Sequence, residues 1–443
     1  MAHPALLVSL TSALLSTGGT NANAGEGILP VPDYAASQGQ TLGQRSHLLG
    51  DWGGARQNLA NEGVTVDLAF TQLAQSIVDG GADKEDAYGG KLATLINLDL
   101  DRMGAVPGAL VTVKVESRYG NSVNGASGAL LPVSDTLYFP LTKPADEDLW
   151  ATITQLDYTQ FLSKELGVFV GKFTLLGQDL NEFAGGEGST QFAGHPFTTA
   201  SVTSLFNPYS TIGGGVLYMP SSNLTISSSL YASDDSSTTS GLDTLDDGLV
   251  WATAVQTQHR IDDLPGGARF TYQYAFDQSF TALDGRFITP TGITIPLEDE
   301  SWCAFANFWQ YLTVDEPVKD KINLNDGKMD LRGVGAFLRV GFADEDTNPI
   351  EWTASAGVAA KGLVAGREND TMGVGYAHSQ VSTLPIQNVT GFFVNDTANR
   401  IEAYYDMALT PAAGLTFDVQ FAESLLKRND TATVLGLRLR LAF

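Results

Sequence analysis

Lys114, Glu116 and Arg118 occupy every second position of "VTVKVESR", and Val111, Val113 and Val115 occupy the alternate positions. Residues two apart on an extended chain share one face. A carboxylate offers acceptors, and an ammonium and a guanidinium offer donors, so such a row can bind adjacent hydroxyl groups reversibly. It holds no activated nucleophile. The same alternation groups other charged residues opposite apolar ones: Asp99 and Asp101, Asp157, Glu402 and Asp406, and Arg438 and Arg440. Lys172 stands opposite Phe169 and Phe173, so it is expected to point the same way as these groups. In a soluble sheet such a face would simply meet bulk water.

Enzyme and metal signatures are weak. No G-x-S-x-G elbow stands out, and His259 has no evident Ser and Asn partners. The five His residues show no ligand spacing, and Cys303 is the only cysteine, which excludes an intrachain disulfide. The Asp-rich "DDSSTTSGLDTLDDG" and "NLNDGKMD" lack the spacing and terminal Glu of a calcium loop and read as solvated loops. No cofactor or metal is expected. With 50 acidic and 25 basic residues the net charge is -25, which speaks against nucleic acid as a partner.

The elements that position these residues are strands. From Thr65 onward the period is two, in segments of about ten residues, roughly sixteen in all, the length a tilted strand needs to cross a bilayer. Short connections such as "SKELG", "PSSN" and "PAAG" alternate with long ones: Gly120 to Leu149, Gly177 to Tyr209, Asp234 to Asp247, Ser279 to Ser301 and Val381 to Asn399. That alternation marks an all-β transmembrane barrel, antiparallel, with short periplasmic turns and long extracellular loops. Thr313 to Asp330 is long where a short turn is expected, which makes it a periplasmic excursion or a slip in the count. Tyr119, Trp150, Tyr218, Tyr231, Trp251, Trp302, Tyr311, Trp352 and Tyr404 lie near segment ends, where interfacial girdles belong. The closing "TVLGLRLRLAF" alternates Leu with Gly, Arg and Ala and ends on Phe443. A closed barrel pairs its last strand with its first, so no tail is required.

Three regions follow: a signal peptide at 1–24, a leader with a short helical segment at 25–64, and the barrel at 65–443. The apolar run Ala5 to Leu15 and the A-x-A-like Ala22-Asn23-Ala24 carry the first, although its start lacks Lys and Arg. In "GDWGGARQNLANEGV", Asp51 is expected as a cap, Trp52 as packing and Arg56 as an ion-pair partner; contact with solute at the periplasmic mouth is the other reading. Among the loops, Gly177 to Tyr209 is the candidate constriction. It carries Gln178, Asp179, Asn181, Glu182, Glu187 and His195 among glycines.

Several stretches resemble the carbohydrate-selective porins of the OprB type. They are "LLGDWGGARQNLANEGVTVDLAFTQ" (48–72), "GVFVGKFTLLGQDLNEFAGGEGSTQF" (167–192), Asn348 to Ser382, Glu402 to Phe421, and the last strand. Ala412 and Ala413 depart from the bulky residue expected after Leu409-Thr410-Pro411. The resemblance implies a sixteen-stranded barrel in the bacterial outer membrane. Small neutral sugars would diffuse through a pore narrowed by inward-folded loops and lined by charged groups. It implies contact with lipid and lipopolysaccharide, assembly by the barrel machinery that reads the terminal strand, and a monomer or homotrimer. Lys114, Glu116, Arg118, Asp99, Asp157, Lys172, Asp179, Glu182, Arg438 and Arg440 are the candidate pore-lining residues. Three rivals stay open: an outer-membrane enzyme, a soluble secreted β protein, and a porin for ions or acidic solutes.

Overall fold

A computed structural model describes residues 27–137, 150–176, 181–243, 245, 247–283, 288–289, 292–293, 296–315, 331–382 and 394–443. Its frame is one closed sheet of sixteen antiparallel strands. In chain order these are β1 (Val64–Asp79), β2 (Asp86–Asp99), β3 (Ala109–Gly120), β4 (Thr152–Phe161), β5 (Leu166–Thr174), β6 (Ser210–Ser221), β7 (Leu224–Ala232) and β8 (Leu249–Ile261). Then follow β9 (Leu264–Phe276), β10 (Ser301–Val314), β11 (Gly333–Ala343), β12 (Ile350–Lys361), β13 (Thr371–Val381), β14 (Thr397–Thr410), β15 (Ala413–Ala422) and β16 (Ala432–Ala442). Each pairs with its neighbour in sequence, and β16 closes on β1 from Ala69↔Ala442 to Asp79↔Thr433, with one bulge. Closure leaves no open edge, as a strand structure in lipid requires.

The two faces separate as alternation demands. On β16, Leu435 and Leu437 are exposed on the outside, while Arg438 is buried inside. On β3 the valines lie outside, and Thr112, Lys114 and Glu116 are buried on the lumen side. A charge on the outer face would cost about 2–4 kcal/mol near a bilayer midplane.

Lys172 corrects the expected parity. It pairs with Leu156 of β4, an outward residue that is 49% exposed. The neighbouring Phe169 and Phe173 point into the lumen, because here the aromatic face is the inner one. Lys172 therefore lies on the outer face, where its ammonium donates to the Thr239 carbonyl at 2.7 Å. The aromatic girdle also needs correction. Tyr119, Trp150, Tyr218, Trp251 and Trp302 are exposed, but Tyr231, Tyr311 and Tyr404 are buried inside the barrel against loop or wall aromatics.

Antiparallel pairing of β10 with β11 puts the connection Thr313 to Asp330 at the end that carries the short turns. Residues 316–330 lie outside the described residues. The same end holds the N-terminal segment. A 3-10 turn at Trp52–Gly54 leads into α1 (Ala55–Asn61), which stops at Gly63 with φ 98°. Asp51 caps from before the turn: its carboxylate accepts the Gln57 N–H at 2.8 Å, in the third position of α1. Trp52 is 40% exposed, with its ring centroid 5.2 Å from the Arg56 guanidinium. Arg56 is buried and pairs with Asp67 at 2.9 Å. Phe443 donates its N–H to the Leu68 carbonyl of β1.

Candidate functional site

The connection between β5 and β6 does not stand above the barrel. It folds into the lumen, and the wall grips it. Asn181 donates to Asn307 of β10 at 2.6 Å. Tyr311 donates to Glu182 at 2.8 Å. Arg339 of β11 donates to the carbonyls of Phe197 and Ala184. Glu402 of β14 accepts the N–H groups of Ala193 at 2.5 Å and Gly194 at 3.0 Å. Arg438 of β16 donates to the carbonyls of Gly188 at 2.7 Å and Gln191 at 2.6 Å. These bonds satisfy loop backbone that would otherwise be buried without partners.

Aromatic packing reinforces the grip. Phe183, Phe192 and Phe197 of the loop meet Tyr311, Phe337 and Tyr404 of the wall, with Phe192 and Tyr404 centroids 4.9 Å apart. Glycine makes room for them: a Cβ on Gly375 would lie 2.6 Å from the Phe197 ring. The described first part of the connection between β3 and β4, up to residue 137, joins the same body. His195 and Asp135 pair at 2.8 Å, Thr198 also bonds Asp135, and Arg400 donates to the carbonyls of Leu131 and Pro132.

The charged row of β3 belongs to this grip. The Lys91 and Lys114 ammoniums each lie 3.4 Å from Glu187 of the loop, and 3.4 and 3.5 Å from Glu116. Glu116 also accepts from Thr154 at 2.7 Å and Tyr209 at 2.8 Å. Burial, and then the charges of Glu116 and Glu187, hold the Tyr209 phenol well above its usual range, so it remains a donor. Arg118 faces the Tyr209 ring at 5.8 Å, and its guanidinium has no hydrogen bond among the described residues. Asp99 sits at the short-turn end and accepts the N–H groups of Ile28 and Leu29. Asp101 accepts those of Gly27 and Gly108. Asp406 accepts from Thr416, and Arg440 lies opposite Gly414 on the inner face. Asp179 and Gln178 lie outside the described residues.

The loop leans on β10 to β16 and β2 to β3, which leaves space along β4 to β9. There a cleft is lined by Gln155, Asp157 and Thr159 of β4, and Phe169 and Phe173 of β5. Ser227, Ser229 and Tyr231 of β7, Arg269, Thr271 and Gln273 of β9, and Thr199 and Asn207 of the loop complete its polar rim. Gln273 donates to Asn207 and to the Tyr231 hydroxyl, both at 2.7 Å, and Gln155 donates to Asp157 at 2.6 Å. Asp157 and Arg269 are its charged lining residues. Hydroxyls and amides exchange hydrogen bonds with a polyol, and a phenyl face meets the apolar side of a pyranose.

Of the predicted residues that the structure describes, only Asp157 lines this cleft. Arg269, Thr271 and Gln273 alternate with Phe270, Tyr272 and Tyr274, a signal as plain as that of β3 but not singled out. Ser227 and Ser229 had no such signal, because "SSS" gives both faces the same side chain.

The family model described as carbohydrate-selective porin, OprB family, matches residues 83–443. The chain belongs to this family. Porin B of Pseudomonas aeruginosa is 22% identical to it over 438 residues, covering 89% of this chain and 91% of that protein. A structure of Pseudomonas putida OprB at high pH superposes with TM-score 0.76 and 19% identity, covering 91% of this chain and all of that one. A low-pH structure of the same protein gives TM-score 0.56 at 17% identity, covering 90% and 99%. The present porin is thus a bacterial outer-membrane channel for passive diffusion of carbohydrates, not an enzyme. The opening Gly50 to Arg56 stretch precedes the matched region.

Proposed function

We propose that sugars cross this porin between the inward-folded loop and the wall formed by β4 to β9. The cleft carries the reading: among the described residues its lining combines hydroxyl and amide side chains with the rings of Phe169, Phe173 and Phe305, smaller apolar groups and one charge of each sign. A neutral polyol can trade water for these partners and leave again, since each contact is weak. Lys114, Glu116, Glu182 and Arg438 then act as anchors that set the width of the passage.

Export uses residues 1–24 as a signal peptide. The outer face meets lipid and lipopolysaccharide, and the last strand, ending in Phe443, is the segment that the barrel-assembly machinery reads. Monomer and homotrimer are both compatible with this arrangement.

The test is single-channel conductance in a planar bilayer, with glucose, gluconate and arginine titrated in turn. Glucose is expected to block at millimolar levels, with little effect from the charged solutes. Asp157→Asn, Arg269→Gln and Phe169→Ala should each weaken that block. An unchanged block in all three would remove this passage as the sugar path.

A further inference from the structure

Below the cleft, a different part of the chain packs on the inner wall. Leu110 at the foot of β3, Phe161 at the foot of β4 and Met219 near the foot of β6 all lie on the inner face of their strands. Phe161 continues the inward row Asp157, Thr159, and Met219 follows Leu217, so these residues sit directly under the cleft wall. Ile28 and Leu29 pack on them, and Leu110 is left with 0% and Phe161 with 9% of its surface exposed.

The covering segment is held by its backbone. One carboxylate oxygen of Asp99 accepts the Ile28 N–H at 2.6 Å and the Leu29 N–H at 3.0 Å. Asp101 accepts the Gly27 N–H at 3.1 Å, and Arg102 donates to the Leu29 carbonyl at 2.7 Å. Gly27 has φ 88°, and a Cβ there would lie 2.5 Å from the Arg102 guanidinium. The site is thus shaped for this backbone, and the two apolar side chains are left to face the lumen-side residues.

We infer that Gly27–Leu29 forms a second, apolar constriction at the periplasmic exit of the sugar path, with Ile28 and Leu29 set against Leu110, Phe161 and Met219. This rests on the path along β4 to β9. A polar cleft followed by an apolar neck favours small neutral solutes. An ion must shed water at the neck without gaining a partner, while a pyranose still presents apolar C–H faces to it. Selectivity is then exerted twice, by hydrogen bonding above and by dewetting below.

The experiment compares the wild-type porin with the double variant Ile28→Gly, Leu29→Gly and, separately, with Asp99→Ala, which frees the segment without altering its side chains. Heat-modifiable gel mobility identifies folded protein. Single-channel conductance in salt is expected to rise roughly two-fold or more in both variants, as widening of a narrow neck requires. Liposome swelling should speed up more for a trisaccharide than for glucose. Conductance equal to wild type in both folded variants would overturn the inference. If Asp157→Asn and Phe169→Ala weaken the glucose block while the neck variants change nothing, the path stands and the neck falls. If the neck variants raise conductance while the cleft variants leave the block intact, Gly27–Leu29 does narrow the lumen, but its place at the exit of a sugar path along β4 to β9 is overturned.

Discussion

A single guanidinium joins the first and last strands of the barrel. Arg56 donates to the Phe443 carbonyl at 3.1 Å, to the Val66 carbonyl at 2.5 Å and to Asp67 at 2.9 Å. Its other surface is covered by the Tyr34 ring, 4.1 Å away. One residue thus ties α1 to both strands of the closing seam. Arg56→Ala is expected to lower stability by about 3 kcal/mol, since it removes charge-assisted bonds and leaves Asp67 partly buried without its partner. The check is a lower midpoint for heat-modifiable mobility. Arg56→Lys should recover only part, because one ammonium cannot reach three acceptors arranged as a fork.

At the scale of elements, the inward loop is the working part, and its backbone is held by side chains of β11, β14 and β16. Losing one anchor should loosen the loop without dissolving the barrel. Arg339→Ala frees the Phe197 and Ala184 carbonyls together, and it is expected to raise single-channel conductance and weaken the glucose block. Gly375→Leu acts on the same loop from the wall. The added side chain takes the place of the Phe197 ring, at a cost of about 1–3 kcal/mol for overpacking. Noisier open-channel current at unchanged heat-modifiable mobility would show the displacement. Strand periodicity announced these strands but not these contacts. Glu402 and Arg438 were legible as inward, while their partners, 209 and 250 residues away in the chain, were not.

At the scale of the whole molecule, the barrel presents two different solvents to alternate residues. Val113→Lys puts an ammonium on the outer face and is expected to destabilise the protein in lipid by about 2–4 kcal/mol, measured by urea titration in vesicles. Ser227→Lys, in the cleft lining, avoids that penalty and should instead shift ion preference toward anions. The wall is therefore tolerant where it is wet and intolerant where it meets acyl chains.

Alternation by itself determined the strand number, the connectivity and the facing of most charged residues, because a period of two needs only the local chain. It failed at Lys172, where the aromatic residues of β5 line the lumen and an outer loop covers the lysine. Tyr231, Tyr311 and Tyr404 failed for the same reason: an aromatic near a strand end can serve a membrane girdle or a packed interior. Only the tertiary structure decided which inward charges face open space. Lys114, Glu116 and Arg438 are occupied by a loop that arrives from elsewhere in the chain, and Asp99 by the N-terminal segment. Facing is a property of a strand, whereas access depends on what the rest of the molecule places in front of it.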